Sequence, residues 1–335
     1  MSRAWIVLVV LGASGCVRAF DTHPAAREGG PPVGDGPLDG VPPPDGAPPA
    51  EGTWDLADHG LVALEAGPDT GAPAPGIAVN TATLTPFIMG APSGEPCSEL
   101  DETPHQVSLT RSFRIARYEV TQAEFQAALG YNPSLTKSCP TCPVERVSWS
   151  EAAAYCNALS AGVGVTPCYA CTGSGSTVSC SEAAAYSGAK IHDCPGYRLP
   201  TEAEWELAAR GGTTTSFYGG DITGCKTAEP LAESYAWYKS NAQDTTHPVG
   251  TKLAGPLGLY DTAGNVYEWT EDFYANYPST AVTNPVGPQT STHRVIRGGA
   301  FWDEPTYLRL GSRGVVLANA HDESIGLRWV RSEIP

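Results

Sequence analysis

Between residues 121 and 211 the chain repeats one arrangement three times: a Ser or Thr, a Glu three residues later, then apolar residues at i, i+3, i+4 spacing. Thr121–Glu124 leads into Phe125, Ala128 and Leu129 and stops at Gly130. Ser148–Glu151 leads into Ala152, Tyr155, Cys156 and Leu159, and Thr201–Glu204 into Trp205, Ala208 and Ala209 before Gly211. The Ser/Thr and Glu side chains bond reciprocally to backbone amides that a helix start leaves unpaired. The spacing gathers apolar side chains on one face, so each segment predicts a helix laying that face on a core. Beyond about residue 213 no helical pattern persists. Short runs such as 295–297 and 327–330, set among Gly and Pro, predict strands. The expected class is α+β, rich in irregular loops.

Before residue 80 the pattern is different. Arg3, an apolar run at 4–11 and small residues at 12–15 precede Cys16, which is the layout of an export signal. Ala13-Ser14-Gly15-Cys16 resembles the lipobox of bacterial lipoproteins, with Ala13 where Leu is usual. The expectation is a signal peptide over 1–16 and lipidation of Cys16, anchoring an exported protein to the cell envelope at the outer membrane. Residues 24–76 hold 12 Pro, 11 Gly, nine acids and one base, so the segment carries half of the chain's formal charge of −16. Such a composition buries little apolar surface and extends by self-repulsion. It predicts a disordered tether over 17–79 and a folded domain over 80–335. The acidic balance argues against nucleic-acid partners, which need basic surface to displace phosphate counterions.

The domain opens with Phe87-Ile88-Met89-Gly90, 101–105 (DETPH) and Tyr118-Glu119-Val120-Thr121. It continues with Val147-Ser148-Trp149, 197–206 (YRLPTEAEWE), 258–261 (GLYD), 264–269 (GNVYEW), 297–302 (RGGAFW) and Ile325-Gly326-Leu327-Arg328. In this order the motifs resemble the sulfatase-modifying-factor, or formylglycine-generating-enzyme, superfamily. The resemblance implies a C-type-lectin-like fold and, in active members, a copper(I) site of paired thiolates that oxidises a substrate cysteine to an aldehyde. Asp303 and Leu308 stand where those two cysteines belong, Ala300 replaces the motif serine, and the last cysteine is Cys225. Soft thiolates are what copper(I) selects, so neither copper nor oxidase activity is expected. The resemblance also implies a calcium loop matching Asp261, Gly264, Val266 and Glu268, two carboxylates and two carbonyls suited to a hard cation. Trp302, Asp303, Arg309 and Arg313 fall in the groove that active relatives use.

Removing Cys16 leaves nine cysteines, two pairs of which (139/142 and 168/171) are spaced Cys-x-x-Cys. In the cytosol that spacing suggests zinc or redox work; outside it, disulfides are favoured. Structural disulfides are expected, with zinc as the alternative, connectivity open and at least one thiol left over. His105 and His247 read as satisfied loop or core residues rather than ligands. Together these features predict an anchored, extracytoplasmic binding or accessory module, a pseudoenzyme recognising a peptide, protein or glycan. An enzyme of altered, metal-dependent chemistry and a structural envelope protein are the alternatives.

Overall fold

The computed structural model of the protein describes residues 76–226 and 228–333. The signal segment, Cys16 and nearly all of the tether lie outside the described residues. The chain runs β1 (Ile77–Val79), α1 (Thr81–Leu84), β2 (Phe87–Met89), β3 (His105–Ser108), β4 (Phe113–Ile115), α2 (Gln122–Leu129) and α3 (Trp149–Gly162). Next come β5 (Tyr169–Thr172), β6 (Ser179–Glu182), β7 (Tyr197–Arg198), α4 (Glu202–Arg210) and α5 (Pro230–Tyr235). The remaining strands are β8 (Tyr267–Phe273), β9 (Val282–Thr283), β10 (His293–Arg297), β11 (Gly314–Leu317), β12 (Ile325–Gly326) and β13 (Val330–Ser332).

These strands form small sheets ordered β1-β4-β13-β7, β11-β10-β8-β12 and β2-β3-β9, with β5 and β6 as a hairpin. Long irregular connections separate them, which is the loop-rich α+β architecture the sequence predicts. The domain begins earlier than residue 80, because β1 pairs with β4 in the register Ile77↔Ile115.

All three capping boxes form, with Thr121, Ser148 and Thr201 accepting from the amides of Glu124, Glu151 and Glu204. Gly130 and Gly211 close α2 and α4 in the left-handed conformation (φ 82° and 52°), where a Cβ would be strained. Two expectations fail. A short helix, α5, does form beyond residue 213; it starts at Glu229 and Pro230, whose fixed φ suits a first turn. The run 327–330 is not one strand, since residues 327–329 instead bond loop amides: Val120 N donates to Leu327 O and Ala116 N to Trp329 O (both 2.9 Å).

The largest departure concerns α4, in which every residue from Glu202 to Arg210 is buried rather than one face. Ala203, Leu207 and Ala208 join a core with Phe113, Ile115 and Val330. On the opposite side Trp205 and Ala209 join Phe217, Tyr238 and Leu310. A helix between two cores has no wet face, so its acids must be paired inside the protein.

The cysteines form disulfides Cys97–Cys225, Cys139–Cys142, Cys168–Cys194 and Cys171–Cys180, leaving Cys156 free and buried. The second Cys-x-x-Cys pair, 168/171, is therefore not bonded within itself. Cys97–Cys225 closes a loop of 128 residues and holds the loop before β3 to the segment before α5.

Candidate functional site

Asn265, fully buried just before β8, ties the loops of the candidate site together. Its amide donates to Trp237 O (2.7 Å) and its carbonyl accepts from Phe301 N (2.9 Å). Its Oδ1 accepts from His247 N (2.9 Å), and its Nδ2 donates to Glu119 Oε2 (2.6 Å) and His247 O (3.2 Å). The neighbouring Gly264 (φ 77°) sits so close to the 237 segment that a Cβ would lie 2.1 Å from Trp237 O. Glycine is required there.

These bonds assemble a partly exposed aromatic face. Trp237 stacks on His247 with ring centroids 3.7 Å apart, and Lys252 Nζ lies 4.0 Å from the Trp237 centroid. Trp237 Nε1 donates to Thr251 Oγ1 (2.9 Å), while adjacent Gly250 packs on Tyr118, which is paired with Tyr260 at 5.1 Å. Trp302 stands beside Phe301 (4.9 Å), and Lys239 N donates to Asp303 O (3.1 Å). The 301–303 turn is thus joined to the Trp237 strand segment. His247 Nε2 bonds to Ala242 O at 2.9 Å and His105 is buried, Nδ1 3.3 Å from Thr103 O, as the sequence suggested.

Of the four groove residues named from the sequence, Trp302 adjoins this face through the 301–303 turn, and its side chain packs against the core that holds Trp149 and Trp269. Asp303 is buried, its Oδ2 accepting from Ala300 N (3.0 Å). Leu308 is buried in a short 3-10 turn, Pro305–Leu308. Arg309 is buried between Glu95 (2.8 Å) and Glu102 (2.6 and 2.7 Å). Arg313 grips Glu202 through Nε and Nη2 (2.7 and 2.8 Å) and lines a separate cavity of about 70 Å³ with His105, Asp272 and Tyr277. The two arginines cross-link the fold.

Beneath the aromatic face lie Glu119, Asp261 and Glu268, all buried, with the Arg328 guanidinium. Glu268 accepts from Arg328 Nε (3.1 and 2.9 Å), Arg328 Nη2 (2.7 Å) and Trp205 Nε1 (2.7 Å), which fills its acceptor positions. Asp261 (φ 57°) accepts from Gly250 N at 2.7 Å through Oδ2, while Oδ1 is buried without a partner. Burial pushes the Asp261 carboxyl up to about 6 against the pull of the Gly250 amide and Arg328. Burial, then Asp261, then Glu268 raise the Glu119 carboxyl well above its usual range. Of the calcium loop that the resemblance implies, Asp261 offers an unbonded oxygen and Glu268 is held by Arg328. Among the described residues no three His, Cys, Asp or Glu side chains gather as a metal cluster.

The profile of the Sulfatase-modifying factor enzyme 1-like domain (FGE-sulfatase) matches residues 83–333. The chain belongs to that family. It is 33% identical over 235 residues to the Chaperone protein LppX of Paenibacillus barcinonensis, covering 66% of this chain and 80% of that one. It is 35% identical over 139 residues to the formylglycine-generating enzyme of Streptomyces coelicolor, a match spanning 39% of this chain and 44% of the enzyme. Among solved structures, Treponema denticola variable protein 1 superposes with a TM-score of 0.64 at 29% identity, over 78% of this chain and 95% of that chain.

Asn265 and Glu119 lie inside the family motifs, where residue order gives neither a role, and Trp237 lies outside them. A signal for Asn265 was present, because Gly-Asn before a strand offers a residue that tolerates φ > 0 and carries both donor and acceptor.

Proposed function

We propose that this FGE-sulfatase domain is an extracytoplasmic accessory module that binds extended polypeptide on the face formed by Trp237, His247 and Trp302, without converting cysteine to formylglycine. The observation that carries the reading is the loss of the thiol pair. Asp303 and Leu308 occupy the two positions and are built into the interior, and Cys156, the free thiol among the described residues, is buried by itself. The name of the LppX relative, a chaperone, favours an accessory role. Partly exposed Trp and His rings joined to a lysine supply stacking, apolar contact and hydrogen bonding at low entropic cost, which suits a peptide backbone and its side chains. The export layout of 1–16 and the four disulfides favour an oxidising compartment, with Cys16 as the lipid anchor and the envelope as the site of action.

The test has two arms. The full chain is incubated with a cysteine-containing sulfatase-type peptide, copper(I) and oxygen, beside the Streptomyces coelicolor enzyme as control. The peptide mass is expected to stay unchanged with this protein, and an aldehyde product would overturn the reading. In the second arm the chain is expected to suppress aggregation of an unfolded exported polypeptide, and Trp237→Ala and Trp302→Ala to weaken that effect. Equal suppression by both variants would remove the aromatic face from the proposal.

A further inference from the structure

We propose that the Cys139–Cys142 bridge is a thiol–disulfide exchange site whose partner is a pair of cysteine thiols on another exported polypeptide.

The four disulfides differ in what they can do for the fold. A bridge stabilises chiefly by restricting the unfolded chain, increasingly so for longer loops. Sequence separations are 128, 26 and 9 for Cys97–Cys225, Cys168–Cys194 and Cys171–Cys180, but 3 for Cys139–Cys142. Cys171–Cys180 also joins directly opposed residues of the β5–β6 hairpin, where the ladder supports it. Cys139–Cys142 lies in a surface loop outside any strand or helix. It adds least to stability by loop closure.

Its surroundings suit exchange. Cys139 is partly exposed and Cys142 is buried, with exposed Pro140 and Thr141 between them. An incoming thiolate therefore meets Cys139, and Cys142 is the leaving and resolving thiol. The bridge sits on the start of α2: Gln122 N donates to Cys142 O (2.9 Å) and Ala123 N to Pro140 O (3.0 Å). Those two bonds hold the loop backbone against α2, so Cys139 and Cys142 stay adjacent while the bridge opens and recloses.

The chemistry balances without an added oxidant. A partner thiolate attacks Cys139 Sγ, forming a mixed disulfide and releasing Cys142 as thiolate. The second partner thiol, losing its proton to water, attacks its own mixed-disulfide sulfur and displaces Cys139. The partner gains a disulfide and loses two electrons; Cys139 and Cys142 end as a dithiol, which a second disulfide, of the same chemical class, reoxidises.

The loop also reaches the aromatic face. Val249 N donates to Thr141 O (3.0 Å), and Cys142 Sγ lies 3.8 Å from Thr246 O, on the segment that carries His247. The exchange itself does not depend on the polypeptide-binding reading, which explains only how a partner's thiols would be brought near.

The experiment equilibrates the full oxidised chain in a series of reduced and oxidised glutathione mixtures, traps thiols by alkylation and maps them by mass spectrometry. Cys139 and Cys142 are expected to open in mixtures about tenfold less reducing than any other pair requires, a difference of about 30 mV. Opening of any other pair first, or of all four together, overturns the proposal. Cys142→Ser is then given a synthetic peptide containing one disulfide. A mixed disulfide at Cys139 is expected, with none in Cys139→Ser, while Cys139 unlabelled in a variant that melts like the parent would sink the exchange role.

Discussion

Around α4, Glu202, Glu204 and Glu206 meet Arg313, Arg198, Arg297 and Arg210; beneath the Trp237 loops, Glu119, Asp261 and Glu268 meet Arg328. Both groups are buried, yet Glu202 and Glu204 shift in the opposite direction to Glu119 and Asp261. Burial alone would raise Glu204, yet Arg198 and His192 hold it well below the usual carboxylate range. Glu202, likewise buried, is lowered by Arg313 and Arg297. Asp261 and Glu119, with one guanidinium shared among three acids, are raised. A guanidinium for every acid makes α4 a fixed strut between two cores. Under-pairing leaves the loops above Asp261 answerable to protons and cations.

The sharpest way to break this comparison is to unpair α4. Arg198→Met leaves Glu204 without its bidentate partner (2.6 and 2.7 Å) and is expected to cost about 3–5 kcal/mol in urea denaturation. A loss below about 1 kcal/mol would mean that His192 alone neutralises Glu204. Asn265→Ala comes next. It strips partners from Glu119 and His247 and is expected to cost about 2–3 kcal/mol, with a red shift of Trp237 emission as its loop loosens.

Asp261→Asn should go the other way. Asn tolerates the left-handed backbone, can keep the bond from Gly250 N, and removes a buried charge whose Oδ1 has no donor. It is expected to stabilise the protein by about 1 kcal/mol at pH 7. The pH dependence separates the two regions. A raised carboxyl gives stability that is fully present below its unfolded value and lost as pH rises through its folded one, so Asp261 destabilises progressively between about 4 and about 6. Burial pushes Glu145 and Glu271 up to about 7, which extends that loss toward neutrality. Lowered Glu202 and Glu204 act in reverse: their stability is present above their unfolded value near 4 and is lost as pH falls below it. Melting temperature should therefore peak near pH 5, about where the two windows meet, and Asp261→Asn should flatten the fall toward pH 7. A maximum at pH 7 or above would refute the under-paired description.

The smallest effect concerns calcium. While Arg328 holds Glu268, millimolar calcium is expected to move the melting temperature by less than about 1 °C. A rise of several degrees would show that Glu268 leaves Arg328 for a cation and would restore the loop implied by the family resemblance.

Much of the scaffold could be read directly from residue order. The three Ser/Thr-x-x-Glu boxes became α2, α3 and α4 because capping is a local exchange of side-chain and backbone bonds. The absence of a thiol pair at 303 and 308 is likewise a fact of sequence. The candidate site was less legible. Arg309 and Arg313 belong in the groove stretch by sequence position, yet their partners Glu95, Glu102 and Glu202 are far away in the chain, and those partners draw them inside. Trp237 and His247 lie in a stretch with no periodicity, and bonds from Asn265 and between Lys239 and Asp303 join that stretch to the turn carrying Trp302.

The sequence by itself determined the family, the helix starts, the loop-rich class and the absence of any cysteine after Cys225, because each is written in adjacent residues or in a missing side chain. Tertiary structure alone decided which cysteines pair, which face of α4 is wet (none is) and which buried acids find a cation. Those outcomes depend on groups tens to hundreds of residues apart meeting where water is excluded, and in that medium the balance of charges, rather than the count of them, sets protonation and strength.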